Sequence, residues 1–360
     1  MSEIFKESNL KTYALKSQER ISQNSAESYQ FIEVNHPEPH IGRTKQLLAR
    51  HPELNKLFGN TPSTAFHVIA CVSAQILIGI FLSHYSAWIM LPVAWCVGAI
   101  INHALWVLIH DCTHNLVFKG STANRWMGMV CNLPLVFPAA MGFRKYHLLH
   151  HRYQGEFERD ADLPGPMEAK LVGSSSFRKF LWLLNFWVIE GVVRPARLKG
   201  VKLWDRWIFI NLAVQVVFST GLIFFFGWNP MFYLMLSTIF SVGLHPVGAR
   251  WIQEHYVMVP GQETYSYYGP FNWFCYNVGY HNEHHDLMAV PWSRLKDVKR
   301  IAPEFYEPLY SHSSWSKLLL RFLFDPKLNL YSRVVRKGQT AAKKAKPLVR
   351  EHQQKVAVPS

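Results

Sequence analysis

Eight histidines fall in three clusters: His110-Asp-Cys-Thr-His114, His147-Leu-Leu-His150-His151 and His281-Asn-Glu-His284-His285. Spacings of three and four residues bring imidazoles onto one face of a helix, where their lone pairs converge. Imidazole is a borderline ligand that suits iron, zinc or copper. His110 and His114 are one turn apart and reach one ion together. In the other clusters an i,i+3 or i,i+4 pair shares a face, and the remaining neighbour points partly aside. Eight imidazoles exceed what one six-coordinate ion takes, so two ions sharing them is the economical reading. A ninth candidate is His255, in Gln253-Glu254-His255-Tyr256; His245 is the alternative, set aside because Pro246 places it at a kink within the membrane. Asp111, Glu254, Glu283 and Asp286, with Asp160 and Asp162, are the carboxylates that would accept the free imidazole N–H groups.

What must position these clusters is read from charge. No Asp, Glu, Lys or Arg occurs from Thr61 to His110, nor from Trp207 to Ala249. A membrane span needs about 20 apolar residues, so each stretch holds two helices crossing out and back. The first turns near His84-Tyr85-Ser86, the second at Gly227-Trp228-Asn229-Pro230. Residues Pro37 to Phe58 read as an amphipathic helix on the interface. Trp126 to Met141, broken by Pro134 and Pro138, reads as interfacial. Phe180 to Val193 is short for a crossing and also reads as interfacial. Two crossings then separate the second cluster from the third, so all three emerge on one side. A crossing by Phe180 to Val193 would strand the third cluster on the other side. The expected fold is an all-α integral membrane protein with four transmembrane helices in two hairpins. Residues 1–36 form a polar disordered extension, 37–335 the membrane domain and 336–360 a basic flexible tail.

The net charge of +14 over 360 residues lies largely outside the apolar stretches. Nucleic-acid binding is one reading of such basicity; the simpler one is the positive-inside rule, with basic flanks held beside anionic lipid. Five cysteines without a Cys-x-x-Cys give little support to disulfides or a structural zinc site. The polar first 30 residues carry no visible cleavable signal.

The three clusters, their order and their placement beside two apolar hairpins resemble the membrane fatty-acyl desaturase superfamily. Phe143-Arg-Lys-Tyr-His-Leu-Leu-His-His-Arg-Tyr153 is similar to the second histidine box of the sphingolipid Δ4-desaturases. So are Glu263 to Asn272 (Glu-Thr-Tyr-Ser-Tyr-Tyr-Gly-Pro-Phe-Asn), Asn277 to Asp286, Leu244-His-Pro-Val-Gly and Tyr331-Ser-Arg333. Two departures stand out: Asp111 where that group usually has Glu, and Arg250 where it commonly has another histidine. The resemblance implies a cytosolic helical cap over the spans and an acyl tunnel below a non-haem di-iron site. The ligands it implies are His110, His114, His147, His150, His151, His281, His284 and His285, with His255 as the ninth. It also implies O2 as co-substrate and a long-chain lipid as substrate, most specifically the sphingoid chain of dihydroceramide desaturated at Δ4. The membrane would be that of the endoplasmic reticulum in a eukaryote, or the inner membrane in a bacterium.

No fused haem module and no flavin or nicotinamide glycine fingerprint is evident, so a separate electron donor, cytochrome b5 or a ferredoxin, is expected. Fatty-acyl desaturation and C4-hydroxylation are the alternatives on the same scaffold. A membrane haem electron carrier using His67, His84 or His103 would leave the three clusters unexplained, and a metal transporter would want polar residues along the spans. The spans read as nearly free of polar residues apart from histidine and Asn102. Tyr146, Trp251 and Tyr280, near the boxes, read either as lining the tunnel or as packing residues, with packing the preferred reading.

Overall fold

The computed structural model describes residues 29–336 apart from 199 and 203. The expected tail sequence beyond 336, and residues 1–28 of the N-terminal extension, lie outside the described residues.

Among the described residues, four helices are long and apolar enough to cross a membrane: α2 (Thr64–Leu82), α3 (Ala87–Thr113), α6 (Arg206–Phe226) and the run Trp228–His255. This last run comprises α7 (Trp228–Val242), a 3-10 turn at Pro246–Ala249 and α8 (Arg250–His255). The break follows from Pro246, which cannot continue the ladder. His245 caps that turn, its Nδ1 accepting from Val247 N at 3.1 Å. A Cβ on Gly248 would stand 2.1 Å from the Gly243 carbonyl oxygen, so only glycine lets the two chain segments close there.

α2 and α6 leave large apolar side chains such as Phe66, Leu77, Phe224 and Phe225 exposed. That is the pattern of helices whose outer solvent is hydrocarbon rather than water. Their inner faces carry more polar groups than the sequence reading allowed: Gln75, Asn211 and Gln215 are buried as well as Asn102. Tyr233 donates to Gln75 Oε1 at 2.9 Å, and Asn102 donates to Thr238 Oγ1 at 2.9 Å. Asn132 donates to Gln215 Oε1 at 2.9 Å. These amides and hydroxyls satisfy one another between helices, which is how polar residues join helices in lipid. The bonds among Gln75, Asn102, Tyr233 and Thr238 lock α2, α3 and α7 together.

The segment from 37 to 58 is not one helix. α1 (His40–Arg50) ends before Pro52, and Pro52–Leu57 continue as a 3-10 helix. Between the first two clusters, α4 (Ser121–Asn132) runs into a 3-10 turn and then α5 (Ala140–Tyr153), bent by 116° where Pro134 and Pro138 interrupt the chain. Residues 176–197 form short helical pieces, Ser176–Leu184, Phe186–Val188, Ile189–Val193 and Arg194–Arg197, none of span length.

One expectation about boundaries is corrected. Strand β1 (Ile32–Val34) pairs in parallel with β4 (Val334–Arg336), Ile32 opposite Val334. This pairing draws residues assigned to the disordered extension and the tail into the folded body. Arg336 completes the clasp, donating to the Gln154 carbonyl at 3.2 Å and pairing with Glu263 at 2.5 Å. A second parallel pair joins β2 (Ser266–Tyr267) to β3 (Ser311–His312). It leads into α9 (His281–Asp286) and α10 (Trp315–Phe324), whose Trp315 and Phe322 fill the largest buried apolar cluster.

Candidate metal centre

Each histidine cluster sits at or beside a helix end. His110 lies in the last turn of α3 and His114 caps it; His147, His150 and His151 occupy the last two turns of α5. α9 contributes His281, His284 and His285, and α8 ends on His255. Histidines near a helix C-terminus face its partial negative charge, which favours a cation there.

The four helices bring these rings into two adjoining groups. His110, His114, His147, His151 and His284 place one nitrogen each within 4.8 Å of one another. His150, His255 and His285 do the same, and His281 Nε2 joins them 3.0 Å from His255 Nε2. The groups touch, with the His151 and His285 rings 4.3 Å apart. All eight clustered histidines and His255 are therefore brought together. His245 lies outside both groups.

The spacing of the nitrogens tests whether a metal fits. In the first group the Nε2 pairs His110–His284, His114–His147 and His147–His151 are each 2.9 Å apart, and His151–His284 is 3.0 Å. In the second, His150–His255 is 3.1 Å. Two ligands at right angles, each about 2.1 Å from one ion, stand about 3.0 Å apart. The donor set is spaced as neighbouring corners of a coordination polyhedron. His285 Nε2 is buried with no hydrogen-bond partner among the described residues, a lone pair that a cation would satisfy.

Electrostatics agree. Burial, then the neighbouring imidazoles, hold His147, His151, His281, His284 and His285 well below the ordinary histidine pKa. Burial, followed by His284 and Arg144, does the same for His114. The shift favours the neutral ring, the form that ligates. His150 differs. Burial would lower it too, but the charge and hydrogen bond of Asp160 reverse this and raise it to about 9. His150 Nδ1 donates to Asp160 Oδ1 at 2.9 Å, which directs Nε2 toward His255.

Of the six carboxylates offered as partners, Asp160 is the one hydrogen-bonded to a clustered histidine. Glu254 comes within 3.4 Å of His281 Nδ1 while pairing with Arg250 at 2.7 Å. Asp111 accepts from Trp292 N, and Glu283 from Ser266 and Tyr268. Asp162 pairs with Arg333, and Asp286 with Arg43 and His40. We expect Asp160→Asn to weaken metal retention in the His150 group about 10- to 100-fold, read as metal content after graded chelation. Unchanged retention would show that Asp160 only braces its loop.

Sequence reasoning missed His40. Its ring lies 4.8 Å from that of His285, with Nδ1 on Asp286 at 2.8 Å and Nε2 on Thr264 Oγ1 at 2.9 Å. It props the third cluster from α1, and no spacing in the sequence pointed to it. Two of the three histidines of the haem alternative are engaged elsewhere. His103 Nδ1 donates to the Ser241 carbonyl at 2.8 Å, and His67 packs on Tyr276 and Trp292.

Comparison with known proteins accords with this geometry. Residues 86–328 match the fatty acid desaturase family, and residues 28–63 match the sphingolipid Delta4-desaturase family. The chain is 44% identical to a sphingolipid delta(4)-desaturase DES1 of Drosophila melanogaster, over 85% of this chain and 95% of that one. It is 41% identical to a DES1-like sphingolipid delta(4)-desaturase of Oryza sativa subsp. japonica, over 84% and 91%. It is 38% identical to the sphingolipid delta(4)-desaturase/C4-monooxygenase DES2 of Rattus norvegicus, over 88% and 98%. Nine imidazoles from four helices, two of which end long apolar segments, are thus set in a chain that belongs to the fatty acid desaturase family, in its sphingolipid delta(4)-desaturase branch.

Proposed function

We propose that this protein desaturates the sphingoid chain of a dihydroceramide between C4 and C5, using O2 and two electrons from a separate donor. The observation that carries this reading is the convergence of nine imidazoles into two adjoining groups, in a chain whose relatives bear the names just given. His110, His114, His147, His151 and His284 would hold one iron, and His150, His255, His281 and His285 the other. An iron pair, when bound, supplies the oxidising power that hydrogen abstraction from an unactivated methylene demands and no side chain has. The balance is one CH2–CH2 unit, O2, two electrons and two protons giving CH=CH and two waters.

The chain's own residues do the rest. Neutral imidazoles leave a bound metal pair its full positive charge, unlike carboxylate-rich sites in soluble bundles. A narrow cavity beside His110, His281 and His284 is lined by Val107, Val278 and Leu295 together with Asp111, Tyr276 and Trp292. Its apolar side would limit how a chain can lie against the site. The topology that fits is two membrane hairpins beneath a cytosolic helical cap, with basic flanks on the cap side. The endoplasmic reticulum suits it in a eukaryote and the inner membrane in a bacterium, with cytochrome b5 or a ferredoxin as donor.

A second reading, hydroxylation at C4, is favoured by the double name of the rat relative. Both reactions begin with the same hydrogen abstraction. Lipid mass spectrometry of a host lacking the activity, with and without this chain, separates them. We expect a 4,5-unsaturated product from dihydroceramide. Only 4-hydroxylated product would favour the second reading, and only unsaturated fatty acids would overturn both.

A further inference from the structure

Among the described residues, buried indole N–H groups are bonded with two exceptions. Trp182 donates to Glu168, Trp292 to Thr64 and Trp315 to Gln253. Among the described residues, Trp106 and Trp251 have a buried Nε1 with no acceptor. An unmet buried donor is costly, so such a group marks a place where an acceptor is missing.

Their positions are related. Trp106 precedes His110 by four residues on α3, and Trp251 precedes His255 by four residues on α8. Residues four apart share a helix face, displaced by about 6 Å along the axis. Each indole therefore lies one turn before a histidine, one in each imidazole group. Both helices run toward the cluster out of an apolar span, so both indoles stand on its membrane side. The rings meet the surroundings of the site: Trp106 packs 5.8 Å from Phe143, which stacks 5.0 Å from His147. The Arg250 guanidinium carbon lies 3.9 Å from the Trp251 ring centre, and Arg250 Nε is also a buried donor without an acceptor. Neither indole is fully buried as a residue although its N–H is. The unmet groups here are donors, so the ligand that fits brings acceptor oxygens close to the reacting carbons. A saturated acyl segment has none. A dihydroceramide has its 3-hydroxyl and amide carbonyl within a few bonds of C4.

Building on the proposed function, we propose that Trp106 and Trp251 are the specificity pair of this enzyme, donating hydrogen bonds to the hydroxyl and amide oxygens of the sphingoid head. The pair selects a substrate whose oxygens lie next to the carbons under the imidazole cluster, and so places C4 rather than a mid-chain methylene at the site.

The test uses metal-loaded protein in lipid nanodiscs and measures dihydroceramide binding and steady-state turnover. Trp106→Phe and Trp251→Phe keep a ring and remove the N–H. We expect each to weaken dihydroceramide binding and raise KM about 5- to 10-fold, with kcat changed less than threefold. Two analogues, one lacking the 3-hydroxyl and one with the amide carbonyl reduced to methylene, should bind wild type more weakly. Each should be blind to the substitution of the indole that holds the missing oxygen. Benzothienylalanine at the same positions preserves the indole's size while replacing N–H with sulfur, and should reproduce the phenylalanine effect. Equal weakening toward every lipid, or none, would make the indoles packing residues and overturn the proposal. A wild-type enzyme that binds and converts saturated acyl lipid but not dihydroceramide would refute the function itself, and this pair's role with it.

Discussion

His284→Ala is expected to reduce product to less than about one-thousandth of wild type, while the protein remains in the membrane with its helices intact. His284 Nε2 stands 2.9 Å from His110 and 3.0 Å from His151. It therefore joins the ligand from α3 to the ligand from α5, and its loss opens two edges of a five-nitrogen group. Without the metal no side chain can abstract hydrogen from a methylene. A thousandfold loss corresponds to about 4 kcal/mol of transition-state stabilisation, a modest demand for dismantling the site. His245→Ala is the matched control. That ring caps a 3-10 turn through Val247 and lies outside both groups, so its removal costs about 1 kcal/mol of stability and leaves turnover within about threefold. Product is measured by lipid mass spectrometry and metal by elemental analysis of the purified protein. Wild-type turnover in His284→Ala would refute the ligand assignment.

The spacing of the boxes and the two charge-free runs were legible because each is local. A three- or four-residue spacing declares a helix face, and 40 or more residues without a charge declare hydrocarbon as solvent. His255 was legible for a related reason: it stands just past the last span, at the depth where the boxes emerge. The carboxylate partners were not. Asp160 and Asp286 are equally plausible beside a histidine box, yet one meets His150 and the other meets Arg43 and His40. Which carboxylate faces which ring is decided by how loops fold back, and no periodicity records that. The β1–β4 clasp was hidden for the same reason, since two three-residue strands some 300 positions apart carry no pattern of their own. Trp251 reads as ordinary packing until its unbonded N–H is seen one turn from His255.

Arg333→Ala is the second substitution with a large expected effect, and it acts from outside the ligand groups. Arg333 is 3% exposed. It donates to the Asp162 carbonyl at 3.0 Å and pairs with the Asp162 carboxylate. Asp162 N in turn donates to Asp160 Oδ1 at 2.9 Å, the same oxygen that receives His150 Nδ1. The loop that orients His150 is thus pinned by a residue near the end of the described chain. Burial alone would raise the Asp162 carboxyl, but Arg333, followed by His150, overrides it and holds Asp162 well below the ordinary carboxylate range. A carboxylate whose folded pKa is depressed stabilises the fold above its unfolded pKa of about 3.9, and that contribution disappears as pH falls through the folded value. Removing the arginine leaves a largely buried charge unpaired, at a cost of about 3 kcal/mol near pH 7. We expect a melting point lower by about 4 °C, with metal lost first from the His150 group. The difference from wild type should be full at neutral pH and narrow once the pH drops below about 4. Arg333→Lys keeps the charge without the two-pronged grip and should fall between. An Arg333→Ala protein that melts like wild type at pH 7 with full metal content would show that the Asp162 loop holds His150 without help from the C-terminal segment.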